Sequence, residues 1–335
     1  MHTGKSYSLS EFLFWTRKSI LWLLLLGTLP TVLYEVFDLK WLSLPWPVVA
    51  LIGTATAFIV GFKNVQTYNR TWEARTVWGA AMGASRAWAT MCRDFFDNPQ
   101  KSKELIYRHL AWLTALRYQL RTPRAWETII KGHNAEYMAS YSIPEAETPL
   151  EVELAKYIPA DEVQYVLSSK NVSGQLLNLQ SKTLKELYET GLVDNYRFMD
   201  MHGAMREFFS HQGKSERIKN FPYPRQYATI NKFFVNLFCF LLPFAMLGEF
   251  EKFNEDITGF LKGNAVWLVI PFSVLISWVY ISLEQVGEST ENPFEGNAND
   301  VPISQMSRAV EIDLREMLGE KDLPTALQPK NNIIL

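Results

Sequence analysis

Three side chains four residues apart, Thr54, Phe58 and Phe62, are the best-placed candidates for function in this sequence. They share one helix face in a run without charge, and a ring of such faces could form a narrow apolar constriction that holds or sheds water. Beside them Gly53, Ala57 and Gly61 repeat the same spacing and would let another helix approach closely. Spacing alone leaves two readings open. Several copies of the helix stand in a ring with Phe toward the axis, or the Phe stripe faces lipid or a helix core.

Reactive chemistry has little to work with. His2, His109, His133, His202 and His211 show no metal-ligand spacing, and each reads as a surface or satisfied polar residue. No nucleophile elbow, Gly-rich phosphate loop or His-Glu-x-x-His string occurs. An enzyme is not expected, nor a cofactor. The stretch Glu295-Gly-Asn-Ala-Asn-Asp300 superficially resembles a calcium loop, but two carboxylates separated by amides make a poor hard-cation site, so no metal is expected either. With a net charge of −2 over 335 residues, nothing points to nucleic acid. Cys92 and Cys239 form no disulfide framework and read as free thiols.

The elements that position the Thr54–Phe62 stripe follow from hydropathy. Trp41–Phe62 is uncharged and spans roughly 30 Å at a helical rise, enough to cross a bilayer core. Ser19–Tyr34, Phe233–Gly248 and Gly263–Leu283 are further apolar runs, the first extended by an amphipathic stretch that Ser8 or Ser10 caps. No small-residue cleavage pattern follows the first run, so a membrane helix is expected rather than a signal peptide. Asp38, Leu39 and Lys40 form a short turn, making the first two helices antiparallel.

Between and beyond these runs the pattern is helical and polar, with no recurring strand signal. A break is expected at Asp97-Asn-Pro-Gln, and an irregular connection over 122–160. Helices are expected near Asp161 and over Gln175–Tyr188, Asn195–Phe209 and Ser304–Leu318. Lys5, Arg17 and Lys18 precede the first run, Lys63, Arg70 and Arg75 follow the second, and Arg217, Lys219, Arg225 and Lys232 precede the third. The positive-inside rule then places both termini and the large middle block in the cytoplasm. The expected class is all-α. Residues 1–62 carry the N-terminal segment and two transmembrane helices, 63–227 a cytosolic helical region, 228–283 the third and fourth spans, and 284–335 a cytosolic helix and tail.

Just past the second run, Arg70, Trp72, Glu73 and Arg75 are spaced for ion-pair and cation–π contacts, with Arg70 three residues from Glu73 and Arg75 three from Trp78. Their expected role is structural, locking the helix bundle to the polar block at the inner mouth, with Arg70 as an ion-attracting charge at a pore mouth the alternative.

The run Gly61–Gly79, GFKNVQTYNRTWEARTVWG, resembles a signature of bacterial bestrophin-like proteins. Glu216–Tyr227 is similar to a second family string, departing from it at Phe221 and Tyr223. Glu291–Ile303 is similar to a third, with Glu295 where the family has glycine. The three occur in the family's order and bracket nearly the whole chain. The resemblance implies a homo-oligomer, a pentamer, in the inner membrane, with one central pore lined by the second helix at Thr54, Phe58 and Phe62. It further implies a cytosolic aperture near Tyr196 and conduction of small monovalent ions. Animal members imply chloride, while bacterial relatives include cation conductors. Animal members also hold calcium at an acidic cluster after the third string, where this sequence keeps Asp300 but has Gly296 and Asn297. Rival readings are a sodium channel of the same fold, a membrane-anchored scaffold without a pore, and a soluble helical protein.

Overall fold

A computed structural model describes residues 1–128, 138–256, 258–259 and 262–335, and Gly132 and His133 of the expected irregular connection lie outside them. The described residues are all-α. Helix α1 spans Leu9–Glu35, α2 Trp46–Asp94, α3 Pro99–Arg121, α4 Pro144–Glu147, α5 Leu150–Leu154, α6 Ala160–Leu167, α7 Val172–Glu189, α8 Asn195–Asn220, α9 Arg225–Asp256, α10 Val269–Ser289 and α11 Ile303–Met317. Contacts divide the chain into two compact units. One comprises Lys5–Asn69 with Tyr223–Glu291, the other Met1–Gly4, Arg70–Pro222 and Asn292–Leu335. The divisions fall after Gly4, Asn69, Pro222 and Glu291, whereas the expected divisions are after 62, 227 and 283.

The first, apolar unit holds four helices long and apolar enough to cross a membrane. Ser8 caps α1, accepting from the Glu11 amide while Glu11 accepts from the Ser8 amide, a reciprocal arrangement that fixes the helix start ten residues before the Leu-rich run. After α1 the chain turns at Asp38, whose φ of 55° suits a residue with a short polar side chain. Helix α10 packs against α1 and α9 around Leu23, Val60, Phe238, Leu242 and Val269. Only 17% to 44% of the apolar 18-residue stretch of each helix is buried in the chain itself, so large apolar faces remain for lipid or further copies.

The second, polar unit is built on α3, which packs against α5, α7, α8 and α11. Asn98 caps it, accepting from the Lys101 amide, and Pro99 opens its first turn, as the expected break implies. Trp88, Trp112 and Phe208 close on His109, whose Nε2 lies 2.9 Å from Ser85 Oγ. Burial pushes the His109 imidazole down to about 3, so it is a neutral core residue.

Helix α2 runs unbroken through the polar stretch after Phe62 and ends before the expected break at Asp97, with Ala74, Trp78, Ala81, Ser85, Trp88 and Cys92 continuing a buried stripe at helical spacing. Two helices outrun their expected ends. Helix α8 runs through Gly213 to Asn220, held on both sides by buried Gln212 and Ser215. Helix α9 begins at Arg225, directly after Pro224. Within 122–160, α4 and α5 add short helical turns to the expected irregular chain.

Candidate pore-lining site

Helix α2 sorts its residues by face. Val49, Gly53, Thr56, Val60, Lys63 and Thr67 are buried, recurring every three or four residues. Thr54, Phe58 and Phe62 lie on the opposite side and are exposed, Phe58 at 77% and Phe62 at 56%. The chain thus buries polar Lys63 and leaves two benzyl groups uncovered, the reverse of what a water-soluble helix does. Neither Phe packs into the chain's own core.

The small-residue stripe is divided. A Cβ on Gly53 would stand 2.6 Å from Phe238 Cε2, so this glycine admits the Phe238 ring of α9 within the same unit. Ala57 is exposed, and nothing lies within 4 Å of a Cβ placed on Gly61. Gly53 therefore serves packing inside the chain, while Ala57 and Gly61 stay open beside the Phe pair.

On the polar side of α2, Glu73 pairs with Arg217 of α8, and Arg70 donates to the Ile218 carbonyl. Arg75 Nη2 lies 3.9 Å from Met1 Sδ, while Trp78 is buried with its ring centroid 6.5 Å from that of Phe294. Trp72 is exposed. Arg70 and Glu73 thus tie α2 to α8 within the polar unit. Lys63, counted above among the cytoplasmic positive charges, is instead buried and paired with Glu284 at 2.7 Å. Tyr196 stands in the first turn of α8, capped by Asp194, and is 84% exposed.

Glu295 and Asp300 lie buried in the polar unit. Thr128 donates to Glu295 from its amide at 2.8 Å and its hydroxyl at 2.6 Å. Arg121 Nη1 lies 3.1 Å from Asp300 Oδ2, and the Gly296 amide donates to the same oxygen at 2.6 Å. Burial raises the pKa of both carboxyls, the charge of Asp300 adding to the rise at Glu295 while Arg121 opposes it at Asp300. Nearby, Lys219 pairs with buried Glu127, and desolvation lowers its pKa. Asp300 thus already has a guanidinium within reach and the loop's own amide on its oxygen. Among the described residues no three His, Cys, Asp or Glu side chains gather where they could hold a metal ion.

A family model described as "Bacterial/Fungal Bestrophin protein" matches residues 13–316. The chain belongs to the bestrophin family. It is 28% identical over 280 residues to the voltage-dependent anion channel-forming protein YneE of Escherichia coli strain K12, covering 84% of this chain and 79% of that one. A protein of Ralstonia nicotianae, also named voltage-dependent anion channel-forming, is 24% identical over 82% of this chain and 78% of its own. Among solved structures, a bacterial bestrophin homolog from Klebsiella pneumoniae superposes with a TM-score of 0.73 at 25% identity, covering 90% of this chain and 97% of that one. The three bestrophin-like strings take distinct places. Gly61–Gly79 lies inside α2, Glu216–Tyr227 joins α8 to α9 through Pro222 and Pro224, and Glu291–Ile303 forms the buried turn before α11. Sequence reasoning missed Glu284, the partner of Lys63, because nothing local marks a residue 221 positions away.

Proposed function

We propose that this bestrophin is one subunit of a homopentameric channel of the bacterial inner membrane that passes small monovalent ions, anions by preference. The observation that carries the reading is the pair Phe58 and Phe62, uncovered on the face of α2 opposite its buried stripe. In a ring of copies packed at Ala57 and Gly61, that face lines a central path and Thr54 sits one turn along it. The Phe rings then form an apolar neck that gates by dewetting. Ring edges, which carry partial positive charge, favour anions when turned to the axis, and ring faces favour cations. The anion channel-forming relatives from Escherichia coli and Ralstonia nicotianae support the anion reading. Tyr196, exposed at the start of α8, is the proposed cytosolic aperture, and both termini lie in the cytoplasm. A sodium-selective channel and a pore-free scaffold are the competing outcomes of the test.

The test is ion flux in liposomes holding the purified protein, with chloride and sodium gradients imposed separately. Chloride flux exceeding sodium flux supports the reading. Sodium flux in excess reverses the selectivity, and no flux of either ion removes the channel.

A further inference from the structure

Hydrophobic packing is non-directional, so the Val49 and Val60 contacts alone would let α2 roll about its own axis. Directional contacts oppose such a roll, and they fall at two heights on one partner helix. At the upper height, Tyr280 Oη of α10 donates to the Gly53 carbonyl at 3.1 Å. At the lower height, Lys63 Nζ meets Glu284 Oε1 at 2.7 Å, both side chains being buried. Next to that pair, Asn64 Nδ2 donates to the Leu283 carbonyl at 3.1 Å. One turn further, the Thr67 and Thr290 hydroxyls lie 3.1 Å apart. Gly287 makes room for this seam, since a Cβ there would stand 2.4 Å from Asn64 Oδ1 and 3.5 Å from Lys63 Cδ. Phe58 lies midway between the two heights, and Phe62 adjoins Lys63.

A buried ion pair takes two charges out of water, and a well-packed apolar pair often serves stability as well or better. Its attested use elsewhere is to fix register. We propose that the Lys63–Glu284 pair is a rotational latch, a positioning element that sets the azimuth of α2 and so holds Phe58 and Phe62 toward the conducting path. The proposal rests on the reading that these two rings line the pore. A charge-assisted hydrogen bond is short and angle-dependent, so it holds one rotation of the helix where apolar contacts tolerate several. With the latch gone, the rings spend time off the axis and the neck widens.

The experiment uses full-length protein in liposomes, with Phe58→Cys as reporter and a charged, membrane-impermeant thiol reagent as probe. The background is favourable because Cys92 and Cys239 are buried. Block of flux in Phe58→Cys alone is the expected first result, and its absence overturns the pore reading and the latch with it. Given block, the neutral pair Lys63→Met/Glu284→Leu is expected to assemble with an unchanged melting midpoint. With Phe58 in place its flux should rise at least about fivefold, and in the Phe58→Cys background its rate of modification at position 58 should change by about tenfold. The exchanged pair Lys63→Glu/Glu284→Lys should return both readings toward wild type, which a merely stabilising role does not require. Assembled neutral-pair protein with wild-type flux and modification rate overturns the latch while leaving the pore reading intact. Should the neutral pair fail to assemble, Gly287→Ala decides. It keeps both charges and wedges a methyl group against Asn64, so flux is expected to shift, and unchanged flux in that assembled variant overturns the latch.

Discussion

The two units of this bestrophin bury opposite things. The polar unit hides aromatic rings, Trp78, Trp88, Trp112 and Phe208 among them, and adds buried ionic contacts at Arg121–Asp300, Arg117–Glu145 and Lys219–Glu127. The apolar unit leaves Trp22, Leu51, Phe58, Phe233 and Leu275 uncovered and encloses Lys63, Thr56 and Thr67. The difference is one of solvent. Where water surrounds the chain, apolar burial drives folding and exposed Phe is the exception. Where lipid surrounds it, polar groups must be satisfied inside, and an outward Phe costs nothing.

That contrast can be broken at several points. The largest effect is expected in the aromatic core of the polar unit. Trp88→Ala should cost about 3–5 kcal/mol and reduce folded yield, measured by denaturant titration. The same truncation at Phe58 should leave stability within about 0.5 kcal/mol of wild type, because that ring makes no core contact in the chain. Equal losses at both sites would erase the distinction between the units.

Next in size is the buried turn before α11. The Glu295 carboxyl has its pKa raised from 4.5 to about 7, chiefly by burial, so folding favours its protonated form. The stability it contributes is fully present below about pH 4.5 and is lost as pH rises through about 7. Wild-type protein should therefore lose stability between pH 5 and pH 8 as Glu295 and its buried neighbour Asp300 give up their protons, and Glu295→Gln should remove the Glu295 share of that loss. A Gln variant whose melting midpoint tracks wild type across this range would refute the assignment. Because Arg121 already stands beside Asp300, a calcium chelator should leave flux unchanged. Flux abolished by chelator and restored by micromolar calcium would show that the turn takes a cation after all.

The smallest effect on subunit stability, and a large one on assembly, is expected at the open pair Ala57 and Gly61. Gly61→Leu adds bulk where the chain has empty space, so each subunit should melt as before while the oligomer mass in detergent falls. Gly53→Leu should instead destabilise the subunit itself by driving into Phe238. An oligomer of unchanged mass in Gly61→Leu would remove this face from the interface.

Much of this was legible in the sequence. Apolar runs gave the spanning helices, the break at Asp97-Asn-Pro-Gln separated α2 from α3, and the three motif strings named the family. Helix ends were less legible, since Gly213 looks like a break until its buried neighbours Gln212 and Ser215 outweigh it. The Thr54–Phe58–Phe62 stripe could be read from spacing because helical periodicity is local. The partners of Gly53, Lys63 and Glu73, namely Phe238, Glu284 and Arg217, lie far along the chain. No periodicity reports such a meeting, so the small-residue stripe looked uniform and Lys63 looked like an ordinary flanking charge.

The proposed channel stands on the exposed Phe face of α2 serving as its neck. The most direct measurement is chloride flux through assembled Phe58→Ala, compared with Ile59→Ala. Ile59 lies about 100° around the helix from Phe58 and is half-buried. Removing a ring of benzyl groups should let water persist in the neck and raise flux by about tenfold or more, since less of the ion's hydration is stripped there. Ile59→Ala should conduct as wild type does. Phe58→Ala conducting no more than Ile59→Ala, in protein of full oligomer mass, would contradict the account and place the Phe stripe against lipid.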